Sequence, residues 1–293
     1  MTTPDKPEPS YQYSKKYMTI DAHQHFWIFD EERDSWITPD MQVIRRNFLP
    51  EDLSPVLKAN KVDGCVAVQA SQTDPETEFL LHLAEANDFV AGVVGWVDLR
   101  AENLYDQLER YSQFEKLKGF RHVAQGQPEG FLLQPEFVRG VGQLVAFDFT
   151  YDILIYQNQL KEAFNFAVKL PNVHFVLDHI AKPLIKAQEL QPWADDIRRL
   201  AELPNVHCKV SGMVTEANWM HWEKADFRPY LDVVFEAFGT ERIMYGSDWP
   251  VCLVAGEYEG AKGILTDYLS MFSDDEVRDV MGNNARRFYN LDI

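Results

Sequence analysis

His23 and His25 stand two apart in Asp21-Ala22-His23-Gln24-His25. Residues two apart on a strand project to the same face, about 7 Å apart at Cα, so both imidazoles can share one metal ion or one substrate atom. Such a pair by itself also has a structural reading, the lesser of the two. His179 follows Asp178 at the end of an apolar run, and Lys182-Pro183 come shortly after. Asp248 ends another run in Gly246-Ser247-Asp248-Trp249-Pro250. An unpaired carboxylate at the end of an apolar strand is costly. Asp248 therefore reads as a general base or metal ligand, with a helix cap or an ion pair to a neighbour such as Lys182 as the plainer alternative. Imidazoles beside such a carboxylate can activate water and stabilise the charge that its attack creates.

Around this set stand candidate substrate contacts. Arg121 and His122 are adjacent, so strand alternation turns only one of them inward, unless the strand is already bending into its loop. At least one of them should anchor substrate, as should Lys182, and arginine offers a planar fork for this. Gln69 and Tyr156 are the last polar residues of their strands, and each is as readily a core residue as a contact. Trp27 and Trp249 could shape an apolar wall or simply pack. Lys209 and Ser211 stay open between core and site. His174 and His207 begin strands and read as structural, His82 lies in a helix and His221 in a loop.

These residues need a scaffold that brings strand ends together. Short apolar runs at 18–23, 62–69, 90–97, 117–123, 151–156, 173–179, 206–211 and 242–248 read as eight strands. Helical patterns alternate with them at 75–87, 103–114, 135–147, 159–170, 192–203, 229–238 and 259–271. Several open with Pro or an acidic residue, as helix starts do. Ser273 and Glu276 are spaced as a capping box before a last helix. Strict alternation implies a parallel sheet. The strand count, and the absence of a glycine-rich phosphate loop after the first strand, favour an α/β fold of the (β/α)8 barrel type over an open sheet. A single domain over 18–293 is expected, after a loosely attached or disordered tail at 1–17. In such barrels catalysis sits at the C-terminal strand ends, where His23, His25, His122, His179 and Asp248 fall. Residues 26–47 form a long connection rich in acidic and aromatic residues, a candidate lid.

The chain has 293 residues, 28 Lys+Arg and 46 Asp+Glu, for a net charge of −18. This argues against nucleic acid and anionic membrane surfaces as partners, and leaves a small-molecule substrate. No apolar stretch is long enough to span a bilayer. Cys65, Cys208 and Cys252 are scattered and odd in number, which fits a reduced, cytoplasmic setting better than a disulfide framework. Nothing in the sequence sets an oligomeric state.

The segments IDAHQHFW, GFRHV, LDHIAKP, CKVSG and YGSDWPV resemble the amidohydrolase-2 group of the amidohydrolase superfamily. They look most similar to its sugar-acid lactonases, of the L-fuconolactonase and L-rhamnonolactonase type. The resemblance runs from Ile20 to Val251. It implies that His23 and His25 match the first-strand pair, His179 the sixth-strand histidine, and Asp248 the eighth-strand aspartate that activates water. The chain departs from the two-metal pattern, because no Lys or Glu stands at the top of the fourth strand and the fifth has no His. The resemblance thus implies a lactone hydrolase with at most one divalent metal (Zn), held by His23, His25 and Asp248, or none. A pyrone diacid would need two carboxylate clamps, and the sequence offers one cationic anchor. Two alternatives are a mononuclear metal-dependent decarboxylase or hydratase of a cyclic or aromatic acid, and a catalytically silent barrel that binds a sugar acid.

Overall fold

The computed structural model describes residues 17–293. The expected tail at 1–17 falls, but for Tyr17, outside them. Eight parallel strands follow one another in sheet order as in sequence: β1 Ile20–Gln24, β2 Gly64–Val68, β3 Val90–Gly95, β4 Leu117–Val123, β5 Thr150–Leu154, β6 Phe175–Leu177, β7 Val206–Val210 and β8 Ile243–Tyr245. The seam between β8 and β1 closes just beyond the strand ends. His25 N donates to Trp249 O at 2.7 Å, and Asp248 N to His23 O at 2.8 Å. The buried Asp21 carboxylate adds a clasp, accepting from Ser247 N and Tyr258 Oη at 2.8 and 2.9 Å. The result is a single (β/α)8 barrel.

The strands are wholly or almost wholly buried because helices cover their outer faces, so they read as continuous apolar runs rather than alternating ones. Inside the barrel, Ile20, Ala22, Val66, Val68, Val94, Val176 and Met244 pack with Tyr289 and Leu291, so the chain's C-terminal end belongs to this core. A capping box at Ser273 and Glu276 starts Asp274–Arg278, as expected. Six strands end short of their expected bounds; for β6 and β8 this leaves His179 and Asp248 beyond the strand on left-handed backbone, φ 54° and 58°. Helix Pro50–Ala59 has no counterpart among the sequence-predicted elements, because Pro55 in its middle interrupts the pattern. Pro229 likewise lies inside Lys224–Phe238, so that helix starts earlier than its expected first residue.

Candidate active site

Strand ends bring five predicted residues to one point. His23 and His25 lie on and just after β1, with their Nε2 atoms 3.2 Å apart. Asp248 Oδ1 lies 3.4 Å from His25 Nε2 and 3.9 Å from both His23 Nε2 and His179 Nε2. Arg121 comes from β4, its Nη1 3.1 Å from His23 Nε2. All five are buried.

The second nitrogen of each imidazole is engaged by the barrel. His25 Nδ1 lies 2.7 Å from Val68 O, an acceptor only, so Nδ1 carries the proton and Nε2 is bare. His23 Nδ1 faces Asp178 Oδ1 at 3.2 Å, and His179 Nδ1 faces Ser211 Oγ at 2.9 Å. Bare ring nitrogens crowding a carboxylate form a donor set suited to one cation. His23, His179 and Asp248 alone already lie within a metal's reach of one another. The residues present therefore fit a single divalent ion. Burial lowers the His179 pKa to about 4 and holds that of His23 well below its ordinary value, which keeps both rings neutral and able to donate.

Beneath this set lies a buried ionic lattice. Asp178 accepts from Arg121 Nη1 at 3.0 Å and from Lys209 Nζ at 3.1 Å. Lys209 also pairs with Asp152, which accepts from Tyr289 Oη at 2.9 Å. Gln69 braces Arg121: its backbone oxygen and Oε1 accept from Arg121 Nη2, and its Nε2 donates to Arg121 O. Lys209 is thus a site-supporting residue, as is Ser211 through His179. Sequence reasoning missed Asp152, although a lone carboxylate within the apolar run of β5 carries the same signal that singled out Asp248.

The other candidates are placed differently. His122 points away from the barrel axis and stacks on Phe131 with centroids 5.1 Å apart, so β4 presents Arg121 inward and His122 outward. Trp27 and Trp249 are buried in an aromatic cluster around Phe48 rather than bare at the pocket. Tyr156 lies past the end of β5 and borders a neighbouring groove, its ring 5.9 Å from Lys182 Nζ. Asp248 makes no ion pair with Lys182, which instead approaches Glu216 at 3.9 Å.

Above the imidazoles opens a pocket of about 420 Å³. His25, Arg121, His179 and Asp248 line it, with Lys182 on its wall. The connection after β1 adds Arg33, Asp34 and Trp36, and the loops after β2 and β4 add Gln72 and Gln125. Arg33 joins Arg121 and Lys182, so the pocket has three cations, and the shortage of cationic anchors expected to disfavour a pyrone diacid does not hold. A single exposed residue type gave no signal for Arg33, because only the folded loop carries it back over the barrel.

Residues 20–291 match the model of the amidohydrolase family. An L-fucono-1,5-lactonase of Burkholderia multivorans is 38% identical over 286 residues, covering 94% of this chain and 96% of its own. An L-fucono-1,5-lactonase of Burkholderia ambifaria is 34% identical over 279 residues, covering 93% and 96%. A crystal structure of an amidohydrolase from Burkholderia multivorans with bound zinc superposes with a TM-score of 0.89 at 39% identity, covering 94% of this chain and all of that one. With the barrel, the imidazole–aspartate centre and these likenesses in agreement, the chain belongs to the amidohydrolase family.

Proposed function

We propose that this protein hydrolyses the lactone of a sugar acid, with Asp248 as the base at a centre of His23, His25 and His179. The observation that carries this reading is the convergence of Asp248 with three imidazoles at the floor of a pocket walled by polar groups. The likeness to L-fucono-1,5-lactonases over nearly the whole chain supports the substrate class, and aldonolactones of deoxy-sugar or galactose-like configuration are the expected best substrates.

In the proposed reaction Asp248 takes a proton from water as the oxygen attacks the ring carbonyl carbon. Negative charge develops on the carbonyl oxygen, and Arg121 stands at the pocket floor as a fixed donor for it. Collapse breaks the ring C–O bond, and the departing ring oxygen takes the proton from Asp248. The new carboxylic acid releases one proton to solvent. His23, His25 and Asp248, with His179, would hold one divalent ion, Zn²⁺ by donor type. Bound there, such an ion supplies polarisation of the water and the carbonyl. Elemental analysis should find at most one divalent ion per chain.

Lys182, Gln72 and Gln125 are the proposed contacts to ring hydroxyls. Gln69 acts behind Arg121. The three cysteines are free and buried, and no helix among the described residues is long and apolar enough to cross a membrane. The free cysteines support a reduced, cytoplasmic setting, and the net charge of −18 argues against nucleic acid as a partner. A pH-indicator assay across a panel of aldonolactones, pyrone dicarboxylates and aromatic acids tests the reading. Proton release from aldonolactones is expected. Proton release from a pyrone dicarboxylate alone would overturn the sugar assignment, and carbon dioxide from an aromatic acid would replace lactone hydrolysis by decarboxylation.

A further inference from the structure

The cations of the pocket are each matched by a carboxylate. Arg33 donates through Nε and Nη2 to Asp34 at 2.9 and 2.7 Å. Arg121 donates to Asp178 at 3.0 Å. Lys182 Nζ stands 3.9 Å from Glu216 Oε1. Asp248 adds a further negative charge on the floor. The first two pairs have structural work as well, since Asp34 accepts from Asp30 N and Asp178 faces His23. Glu216 differs: among the described residues its carboxylate makes only the Lys182 approach, in the connection between β7 and helix Lys224–Phe238.

We propose that Glu216 masks Lys182, so that the pocket accepts a neutral lactone and releases the anionic acid formed from it. The inference rests on the lactonase reading above. Ring opening adds water across the ester bond, and the acid then loses a proton, so the product carries one negative charge that the substrate lacks. A bare Lys182 beside the pocket would hold that charge and slow release. With Glu216 alongside, the ammonium still donates hydrogen bonds to hydroxyls, but its long-range pull on a carboxylate is cancelled. Burial raises the Glu216 carboxyl above the ordinary glutamate value even with Lys182 beside it. A carboxylate kept at such a cost to its own ionisation, without other partners, fits a role toward the pocket better than one in stability.

The test is product inhibition by L-fuconate at pH 8, with metal content measured, on the wild-type protein and on Glu216→Gln. The substitution should tighten product inhibition about tenfold, as unmasking one nearby charge would, and should change KM for the neutral lactone by much less. In a Lys182→Met background the same substitution should have no such effect. Added salt should weaken the tightened inhibition. An unchanged ratio of KM to Ki, or the same tightening without Lys182, would overturn the proposal. Calorimetric titration of L-fuconate reads the masking without turnover. Failure of the lactonase reading therefore appears in the wild-type assay, and failure of charge matching appears in the variants.

Discussion

The proposed role of Asp248 as base is separable from its packing. Its backbone is left-handed, its N–H holds the barrel seam through His23 O, and its carboxylate faces three imidazoles. Asp248→Asn keeps the shape and removes the proton acceptor, so the fold should persist while kcat falls by about 10²–10⁴-fold. Circular dichroism and steady-state kinetics check this, and a folded variant with more than a tenth of normal turnover would exclude the base role. Gly212 is a second sensitive position. It adopts φ +61°, and a Cβ there would lie 2.6 Å from His179 Nδ1 and 3.1 Å from Asp248 Oδ2. Gly212→Ala must displace the imidazole, and a displacement of about 1 Å can cost about 10²-fold in rate. Kinetics should show that loss, and a crystal structure should show His179 moved.

The element that matters most for the site is the turn after β6. His179, Ile180, Ala181 and Lys182 all have positive φ, between 49° and 60°. Left-handed backbone costs roughly 1–2 kcal/mol per ordinary residue, so such a run persists only where its surroundings hold it. Burial of Ile180 and Ala181 holds it from below, and Trp193 Nε1 donates to Ile180 O at 2.7 Å. The turn places both His179 and Lys182 at the pocket. Trp193→Phe removes the donor and leaves a buried carbonyl unpaired, which should cost about 1–3 kcal/mol. Urea denaturation reads that loss. If the anchor also positions the turn, kcat/KM should fall although Trp193 touches no substrate; an unaltered kcat/KM would assign it to stability alone. The connection after β1 is the second such element. Trp27 ties its two ends together through its bridge with Phe48 and the bond from Nε1 to Arg46 O, and its aromatic edge supports the half-exposed Trp36 at the pocket.

At the scale of the whole molecule, a neutral, half-buried histidine links stability to pH. His207 lies at the start of β7, away from the pocket, packed on Phe288 with centroids 4.8 Å apart. Burial lowers its pKa to about 4. Between that value and about 6.5 the unfolded chain binds a proton that the folded chain refuses, so stability rises with pH across this window and levels above it. His207→Gln should remove this share. The stability difference between wild type and variant should therefore grow by on the order of 1–3 kcal/mol from pH 4 to pH 7, read by denaturant midpoints. A difference that stays flat with pH would show that His207 is not held neutral. Asp21 works against this trend, because burial raises its pKa to about 6 and the folded state then gains relative stability as pH falls through that value.

By itself, the sequence determined the alternation of strands and helices, and with it the barrel, because buried parallel strands and amphipathic helices leave distinct local patterns. It also singled out His23, His25, His179 and Asp248, which the fold brings together, because polar residues at the ends of apolar strands are conspicuous. Two prolines that tertiary packing tolerates hid one whole helix, Pro50–Ala59, and the start of another, Lys224–Phe238. The tertiary structure alone decided that Arg121 rather than His122 faces the axis, since a shift of one residue in a strand exchanges its faces. It alone joined Asp152, Lys209 and Tyr289 beneath the site, brought Arg33 back over the barrel mouth, and set Glu216 beside Lys182. Those partners lie tens of residues or more apart, and their interaction depends on distance in space, which local pattern does not encode.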